Sequence, residues 1–128
     1  MELVAIVIGL ALAEYFYFAW QCGSSRGRLG VPAPATTGHP EFERRFRVQY
    51  NTIEQLVIFL PGMLMFGQYV SPAIAAGLGL VFILGRALYA HAYVHDPARR
   101  GPGFGLSFLA NCVLLTGGIV GAAVAYLR

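Results

Sequence analysis

Charge is scarce in this sequence of 128 residues, and lysine is absent altogether. Charged residues make up 12% of the chain and hydrophobic residues 57%, whereas soluble domains average about 25% charged and roughly 45–50% apolar residues. A small soluble domain has a large surface for its volume and needs polar residues to cover it. The shortage of charge therefore argues against a soluble domain, and the hydrophobicity argues against disorder. The composition therefore predicts a membrane protein.

Cysteine and metal-binding patterns are also sparse. Cys22 and Cys112 lie too far apart for a zinc motif or a C-x-x-C redox motif, so we expect two buried, unpaired thiols. His91 and His95, without a third nearby ligand, are weak grounds for a metal site. The nine arginines are too few, and too concentrated in loops, to form the basic face of a nucleic-acid-binding protein. We therefore expect neither a bound metal nor a nucleic-acid partner.

Four segments are long and apolar enough to cross a bilayer, which requires about 20 residues each. They cover approximately residues 3–20, 53–70, 73–94 and 104–127. A backbone in lipid must satisfy its own hydrogen bonds, so each segment is predicted to be helical. The first ends in an aromatic belt rather than a cleavage site, and we expect it to be retained. The sequence thus predicts an all-α, four-helix transmembrane bundle, as a single domain over residues 1–128.

The arginines concentrate in two of the connections between these spans. Five lie in residues 21–50 and two in residues 95–103. Because arginine-rich loops stay on the cytoplasmic side of a membrane, both connections are predicted to be cytoplasmic and both chain ends to lie outside. The middle connection, residues 70–72, carries no charge and is short enough for a tight helical hairpin.

Proline and glycine mark a change within the long first connection. They predict irregular chain from about Gly23 to Pro40. The Pro-Glu-Phe-Glu run at residues 40–43 then has the proline and acidic residues typical of a first helical turn. The second helix is therefore predicted to begin near Glu41, well before it reaches the membrane.

A polar stripe lies where the second helix meets the membrane. Spacings of three, four and three residues place one set of side chains on a single helical face: Arg44, Arg47, Asn51 and Glu54. Arginine, amide and carboxylate groups together suit a polar, zwitterionic ligand. The alternative is an intrahelical salt bridge with contacts to lipid headgroups.

Two charges lie deeper in the predicted spans. Arg86 shares a stripe with Tyr89 and Tyr93 on the third helix, and a charge at that depth usually faces the bundle interior and has a partner. We predict that Glu54 is that partner. Glu14 would be neutral unless paired; a proton-coupling role, a contact between helices and an interfacial position all remain open. On the fourth helix, Gly117 and Gly121 predict close helix packing.

These motifs together resemble the signature of the MAPEG superfamily, membrane proteins of eicosanoid and glutathione metabolism. The resemblance is closest to its branch of microsomal glutathione transferases and leukotriene C4 synthases. It rests on Thr36-Thr37-Gly38, on Pro40-Glu41-Phe42-Glu43-Arg44, and on the later Arg86-x-x-Tyr89-x-x-x-Tyr93 followed by Arg100. It covers nearly the whole chain.

The resemblance implies a homotrimer with a glutathione site between neighbouring subunits, open to the cytoplasm. It assigns eight residues to that site: Arg26, Arg47, Gln49, Asn51, Glu54, Tyr89, Tyr93 and Arg100. Arg100 would lie beside the sulfur and, with Tyr93, form the catalytic pair. The implied co-substrate is glutathione, which supplies its own thiolate nucleophile. A lipophilic electrophile or lipid hydroperoxide would arrive from the bilayer, in a bacterial inner membrane or the endoplasmic reticulum.

The sequence departs from the leukotriene-synthase pattern at Gly27 and Gln55, where that branch carries arginine and tyrosine. A general conjugase, or a glutathione peroxidase acting on lipid hydroperoxides, is therefore favoured over leukotriene C4 synthesis. Two alternatives stay open. One is a non-catalytic family member that binds lipid or a partner protein, and the other is a small proton-coupled exporter that uses Glu14.

Overall fold

The structure, a computed structural model, describes residues 1–128 as four long helices without a strand. The helices are α1 (Glu2–Leu29), α2 (Pro40–Tyr69), α3 (Pro72–His95) and α4 (Gly101–Leu127). A single 3-10 turn, Pro97–Arg99, precedes α4. The all-α, four-helix prediction is confirmed.

The first helix is longer than predicted. It continues through Gly23 and Gly27 to Leu29, so the prediction of irregular chain from Gly23 is wrong in its first part. A glycine inside a helix costs only about 1 kcal/mol relative to alanine, which the packing of the helix can offset. Proline, the strong helix breaker, first appears at Pro32.

Gly30 ends this helix in the left-handed region, with φ 69° and ψ 36°. Glycine adopts that conformation without the penalty that a β-carbon brings. The Val31 N–H then donates to the Arg26 carbonyl over 3.0 Å, which is the Schellman ending of a helix. Val31 packs with Cys22 and Phe42 and so ties the end of α1 to the start of α2.

The second and third helices begin as predicted. The His39 Nδ1 atom accepts a hydrogen bond from the Glu41 N–H over 3.1 Å, with Pro40 as the first helical residue. The Ser71 hydroxyl accepts from the Ile74 N–H over 3.2 Å and caps α3. The tight hairpin between α2 and α3 is therefore confirmed.

The α2–α3 pair forms the centre of the bundle. Both α1 and α4 pack against α2 and α3, while α1 and α4 scarcely meet. Phe59 and Phe82 stack at the centre with their rings 4.0 Å apart. At the far end of α4, a β-carbon on Gly117 would overlap the Phe66 ring, and one on Gly121 would lie 2.8 Å from Val70. The predicted close packing of these glycines is confirmed.

Three helical segments are long and apolar enough to cross a membrane: α1, α3, and α4 with its preceding turn. Large apolar side chains on their surface, such as Phe16 and Trp20, are more than half exposed, as lipid-facing residues would be. The second helix is not among the segments that are long and apolar enough to cross a membrane. Most of its charged residues lie in its first turns. Its span at residues 53–70 stays a prediction, as does the orientation of the bundle.

Both cysteines are free, in keeping with the prediction, but only Cys22 is buried. Cys112 is exposed on α4, so its predicted burial is wrong. Because α4 is apolar on all sides, the periodicity of its sequence does not show which of its faces is exposed.

Candidate functional site

A polar cleft of about 540 Å³ opens where the start of α2, the end of α3 and the start of α4 converge. We call it the α4-side cleft. Its lining is Arg47, Asn51, Tyr89, Tyr93, Arg100 and Phe104. Five of the eight predicted glutathione residues thus come together, although they lie far apart in the sequence.

The helix α2 contributes Arg47 and Asn51, which are four residues apart and so lie on one face. Arg47 is exposed and forms no hydrogen bond within the chain. The Asn51 Oδ1 atom accepts a hydrogen bond from Arg86 over 2.8 Å. Arg44, the other arginine of this predicted stripe, donates to the Val94 carbonyl over 3.2 Å and braces α2 against α3.

The helix α3 contributes two stacked tyrosines. The Tyr89 and Tyr93 rings lie 5.5 Å apart with 29° between their planes. Beneath them, the guanidinium of the fully buried Arg86 lies 4.3 Å from the centre of the Tyr89 ring. This geometry confirms the predicted Arg86, Tyr89 and Tyr93 stripe and is that of a cation–π contact.

The predicted ion pair between Arg86 and Glu54 is wrong. Arg86 instead donates to three neutral oxygens, those of Asn51, Thr52 and Ser107. Glu54 is exposed, and the chain's salt bridges do not include it. Because the two helices are a hairpin, both residues lie at the same end of the bundle, but the exposed Glu54 forms no hydrogen bond or salt bridge with the buried Arg86.

The third connection positions Arg100 and Phe104. The Arg100 guanidinium donates to the Pro97 carbonyl over 2.8 Å, and this bond uses one of its five N–H groups. Phe104 packs against Tyr89 with ring centres 6.2 Å apart. Sequence reasoning missed Phe104, although it follows Arg100 by one helical turn and therefore shares its face.

Gly103 allows α4 to approach α3 at this point. A β-carbon there would overlap the Tyr89 nitrogen and lie 2.7 Å from the Tyr89 Cα atom. Only a glycine permits the backbones of the two helices to come so close. The side chains on either side of Gly103 in the cleft wall, Arg100 and Phe104, are thereby held against α3.

The other three predicted residues lie outside the α4-side cleft. Arg26 donates to the Ala35 carbonyl over 2.6 Å and stacks over Phe42. Gln49 donates to the Tyr15 hydroxyl over 2.8 Å. Glu54 is exposed, three residues after Asn51 on α2, and does not line the cleft. In this single chain, Arg26 and Gln49 are bound to groups of the connection and of α1.

An ion-pair cluster holds the end of α1 to the start of α2. Glu41 pairs with Arg28 at 3.0 Å and with Arg45 at 3.4 Å. The hydrogen bond from Arg28 lowers the pKa of Glu41 below its ordinary value, and Arg45 adds to the effect. The cluster fixes the last turn of α1, which carries Arg26, against the start of α2.

A second cleft, of about 320 Å³, opens on the opposite side of the α2–α3 pair. We call it the α1-side cleft. Its lining is mainly apolar but includes Glu14, Gln21, Arg45, His91 and His95. One oxygen of Glu14 is buried without a hydrogen-bond partner, and the two imidazoles stack 4.4 Å apart.

The sequence was compared with models of known protein families. The sequence model of the MAPEG family matches residues 4–120. The chain belongs to the MAPEG family. With three membrane-capable helices, this MAPEG protein is an integral membrane protein.

Several relatives align along most of its length. An uncharacterised protein of Synechocystis sp. is 45% identical over 116 residues, which are 91% of this chain and 85% of that protein. Human microsomal glutathione S-transferase 2 is 41% identical over 125 residues, covering 98% and 85% of the two chains. Bovine leukotriene C4 synthase is 36% identical over 100 residues, covering 78% and 67%. The family resemblance read from the sequence is thus confirmed.

Proposed function

We propose that this protein is a membrane-bound glutathione transferase that conjugates glutathione to lipophilic electrophiles. Its relatives include proteins named as microsomal glutathione transferase and leukotriene C4 synthase, which supports a glutathione-using membrane enzyme. The observation that carries the proposal is the α4-side cleft, where two arginines, an asparagine and two tyrosines converge from three parts of the chain.

Glutathione matches the polar groups of this cleft. It is a peptide with two carboxylates, an amine and a thiol. An arginine binds a carboxylate through paired, charge-assisted hydrogen bonds, and the Arg47 guanidinium is free to do so. The exposed Glu54 carboxylate, one turn after Asn51 on α2, suits the amine of the same molecule.

Arg100 and Tyr93 are the proposed catalytic residues. A thiolate is the nucleophile in conjugation, and a free thiol with a pKa near 8.5 is ionised only to a small extent at neutral pH. A guanidinium beside the sulfur favours the thiolate by opposite charge and hydrogen bonding. Arg100 keeps N–H groups free for this role, while the Tyr93 hydroxyl can donate a further hydrogen bond. The thiolate attacks the electrophile, and the leaving group departs with the displaced electron pair.

A homotrimer would complete the site. Gln49 lies two residues from Arg47 and therefore points to a different side of α2. Arg26 is part of α1 and does not line the α4-side cleft of its own chain. In the proposed trimer, both residues would belong to the α4-side cleft of a neighbouring subunit, where Arg26 would bind a second carboxylate. The proposed site faces the cytoplasm, with the arginine-rich connections.

A peroxidase activity on lipid hydroperoxides uses the same thiolate. Two glutathione molecules would reduce one hydroperoxide to an alcohol and water and would leave as the disulfide. Apolar substrates can reach the cleft along α4, where Phe104 continues into the half-exposed Phe108. Transferase and peroxidase activity are separated by assay with an alkylating electrophile and with a lipid hydroperoxide.

Two other functions are the alternatives to a glutathione transferase. A non-catalytic family member would bind lipid or a protein but no glutathione. A proton-coupled exporter would depend on Glu14, whose unpartnered buried oxygen lines the α1-side cleft. The long arginine-rich connection from α1 to α2 does not favour the exporter.

The test is a thiolate difference spectrum of the purified protein titrated with glutathione. Arg100→Ala should abolish the thiolate band. Arg99→Ala is the matched control, because Arg99 is the exposed neighbour that lines neither cleft, and it should leave the band unchanged. Survival of the band in Arg100→Ala would move the activating role to Tyr93 or another group. Absence of glutathione binding by the wild type would refute the transferase.

A further inference from the structure

Arg86 is a buried charge that hydrogen-bonds no carboxylate. Its side chain is fully buried, and it donates to Asn51 Oδ1 over 2.8 Å, Thr52 Oγ1 over 3.0 Å and Ser107 Oγ over 3.3 Å. Burying a charge is costly, and such residues in membrane segments usually have a functional role. The partners of Arg86 indicate what that role is, because one of them lines the α4-side cleft.

The contact with Arg86 determines which way the Asn51 amide faces. A guanidinium has only donors and no acceptor. The Asn51 atom that lies 2.8 Å from it must therefore be the oxygen, and the amide nitrogen is directed away from Arg86. That nitrogen has no partner within the chain and is not among the buried unpartnered atoms. It is therefore open to the cleft that Asn51 lines.

The cleft accordingly presents donors. Arg47 and Arg100 contribute guanidinium groups, Asn51 an amide nitrogen, and the two tyrosines hydroxyl groups. No carboxylate lines it. Arg86 also supports the Tyr89 ring from beneath, so a single buried side chain holds two of the lining residues.

We propose that Arg86 is a positioning residue that locks the Asn51 amide with its nitrogen towards the cleft, which makes the centre of the cleft specific for hydrogen-bond acceptors and anions. The inference rests on the proposed function, and it assigns the part of glutathione that binds there. A carboxylate or peptide carbonyl accepts from Asn51, while the ammonium group lies outside this set of residues. Arg86 itself touches no part of the bound molecule.

Asn51→Asp tests the orientation directly. The variant keeps an oxygen towards Arg86 but replaces the amide nitrogen in the cleft with a second carboxylate oxygen. If Asn51 presents its nitrogen, the Kd for glutathione, measured by titration calorimetry, should rise at least about tenfold. If Asn51 instead presented an oxygen to the ligand, affinity would be unchanged or higher. Gln68→Glu, which adds the same charge at an exposed position near the other end of α2, is the control and should leave the Kd unchanged.

Arg86→Lys tests the positioning role. Lysine keeps the charge but lacks the planar, five-donor fork that bonds three oxygens at once. We expect a higher Kd for glutathione, while the thiolate fraction of bound glutathione at saturation stays as in the wild type, because Arg86 does not touch the sulfur. A parallel loss of affinity and of thiolate fraction would indicate general disruption of the fold and overturn the positioning role.

The outcomes separate the inference from the proposed function. Failure of the wild type to bind glutathione would overturn both. Wild-type binding with unchanged affinity in Asn51→Asp would overturn the orientation alone and leave the transferase standing. If Arg86→Lys does not fold, the comparison of Asn51→Asp with Gln68→Glu decides the question by itself.

Discussion

The two clefts on either side of the α2–α3 pair lie at the same end of the bundle but have opposite chemistry. The α4-side cleft gathers hydrogen-bond donors from three parts of the chain and contains no carboxylate. The α1-side cleft is mainly apolar and holds the buried, unpartnered oxygen of Glu14. The difference arises from helical periodicity, since α3 directs Tyr89 and Tyr93 to one side and His91 and His95 to the other. Polarity inside a membrane bundle is therefore a property of a helix face.

The largest effect is expected from a substitution that disrupts the α4-side cleft and leaves the α1-side cleft intact. Gly103→Ala would place a β-carbon against the Tyr89 backbone, so α3 and α4 must move apart, and overpacking of this kind costs about 1–3 kcal/mol. Because Arg100 and Phe104 flank Gly103, glutathione affinity should fall as well. Thermal unfolding and glutathione titration measure the two effects.

Gly105→Ala is the matched control, because a β-carbon at Gly105 meets no other atom within 4 Å. Since alanine favours a helix by about 1 kcal/mol over glycine, the control should be as stable as the wild type or more stable. Equal behaviour of the two variants would show that the α4-side cleft does not depend on the close approach of α3 and α4.

A smaller effect concerns the cluster around Glu41, whose partner Arg45 lines the α1-side cleft. The pKa of Glu41 is lowered in the folded protein by Arg28, so its stabilising contribution is complete above the ordinary value of 4.5 and is lost as the pH falls through the lowered pKa. The pairs are partly exposed, which keeps the contribution small. Protonation of Glu41 at low pH should therefore lower the melting temperature by a few degrees at most.

Glu41→Gln isolates that contribution. The difference in melting temperature between wild type and variant should be present at pH 6 and should shrink as the pH falls below 4.5. The α4-side cleft does not include Glu41, so glutathione affinity at pH 7 should be unchanged. A constant difference at every pH would mean that the Glu41 charge does not contribute to stability.

The helices could be predicted from the sequence largely because their signals are local. The proline at the start of α2, the short uncharged connection before α3 and the small residues of α4 act within one or two turns. The end of α1 could not be placed, because Gly23 and Gly27 are breakers only where packing does not compensate. A glycine weakens a helix by an amount that tertiary contacts easily exceed.

The candidate site was predictable as a set of residues but not as a set of contacts. The family resemblance supplied Arg47, Asn51, Tyr89, Tyr93 and Arg100, and the structure brings them together. The resemblance did not reveal that Arg86 donates hydrogen bonds to neutral oxygens. When only the positions of residues along the helices are known, the opposite charge of Glu54 makes it the expected partner. Contacts between helices depend on rotation about each axis, which a hairpin connection alone does not fix.

The smallest effect on conjugation is expected from a substitution in the α1-side cleft. Glu14→Gln removes an ionisable group from the α1-side cleft, and the Glu14 oxygen without a partner has no hydrogen bond to lose. Stability should be unchanged or slightly higher, since a buried carboxyl is costly in a membrane span. Conjugation of glutathione to a lipophilic aryl halide should change by less than about twofold, because Glu14 does not line the α4-side cleft and forms no hydrogen bond with Arg86. A large loss of conjugation in a folded variant would place Glu14 within the glutathione chemistry and remove the distinction between the clefts, whereas loss of proton-coupled efflux from vesicles would assign the α1-side cleft to transport.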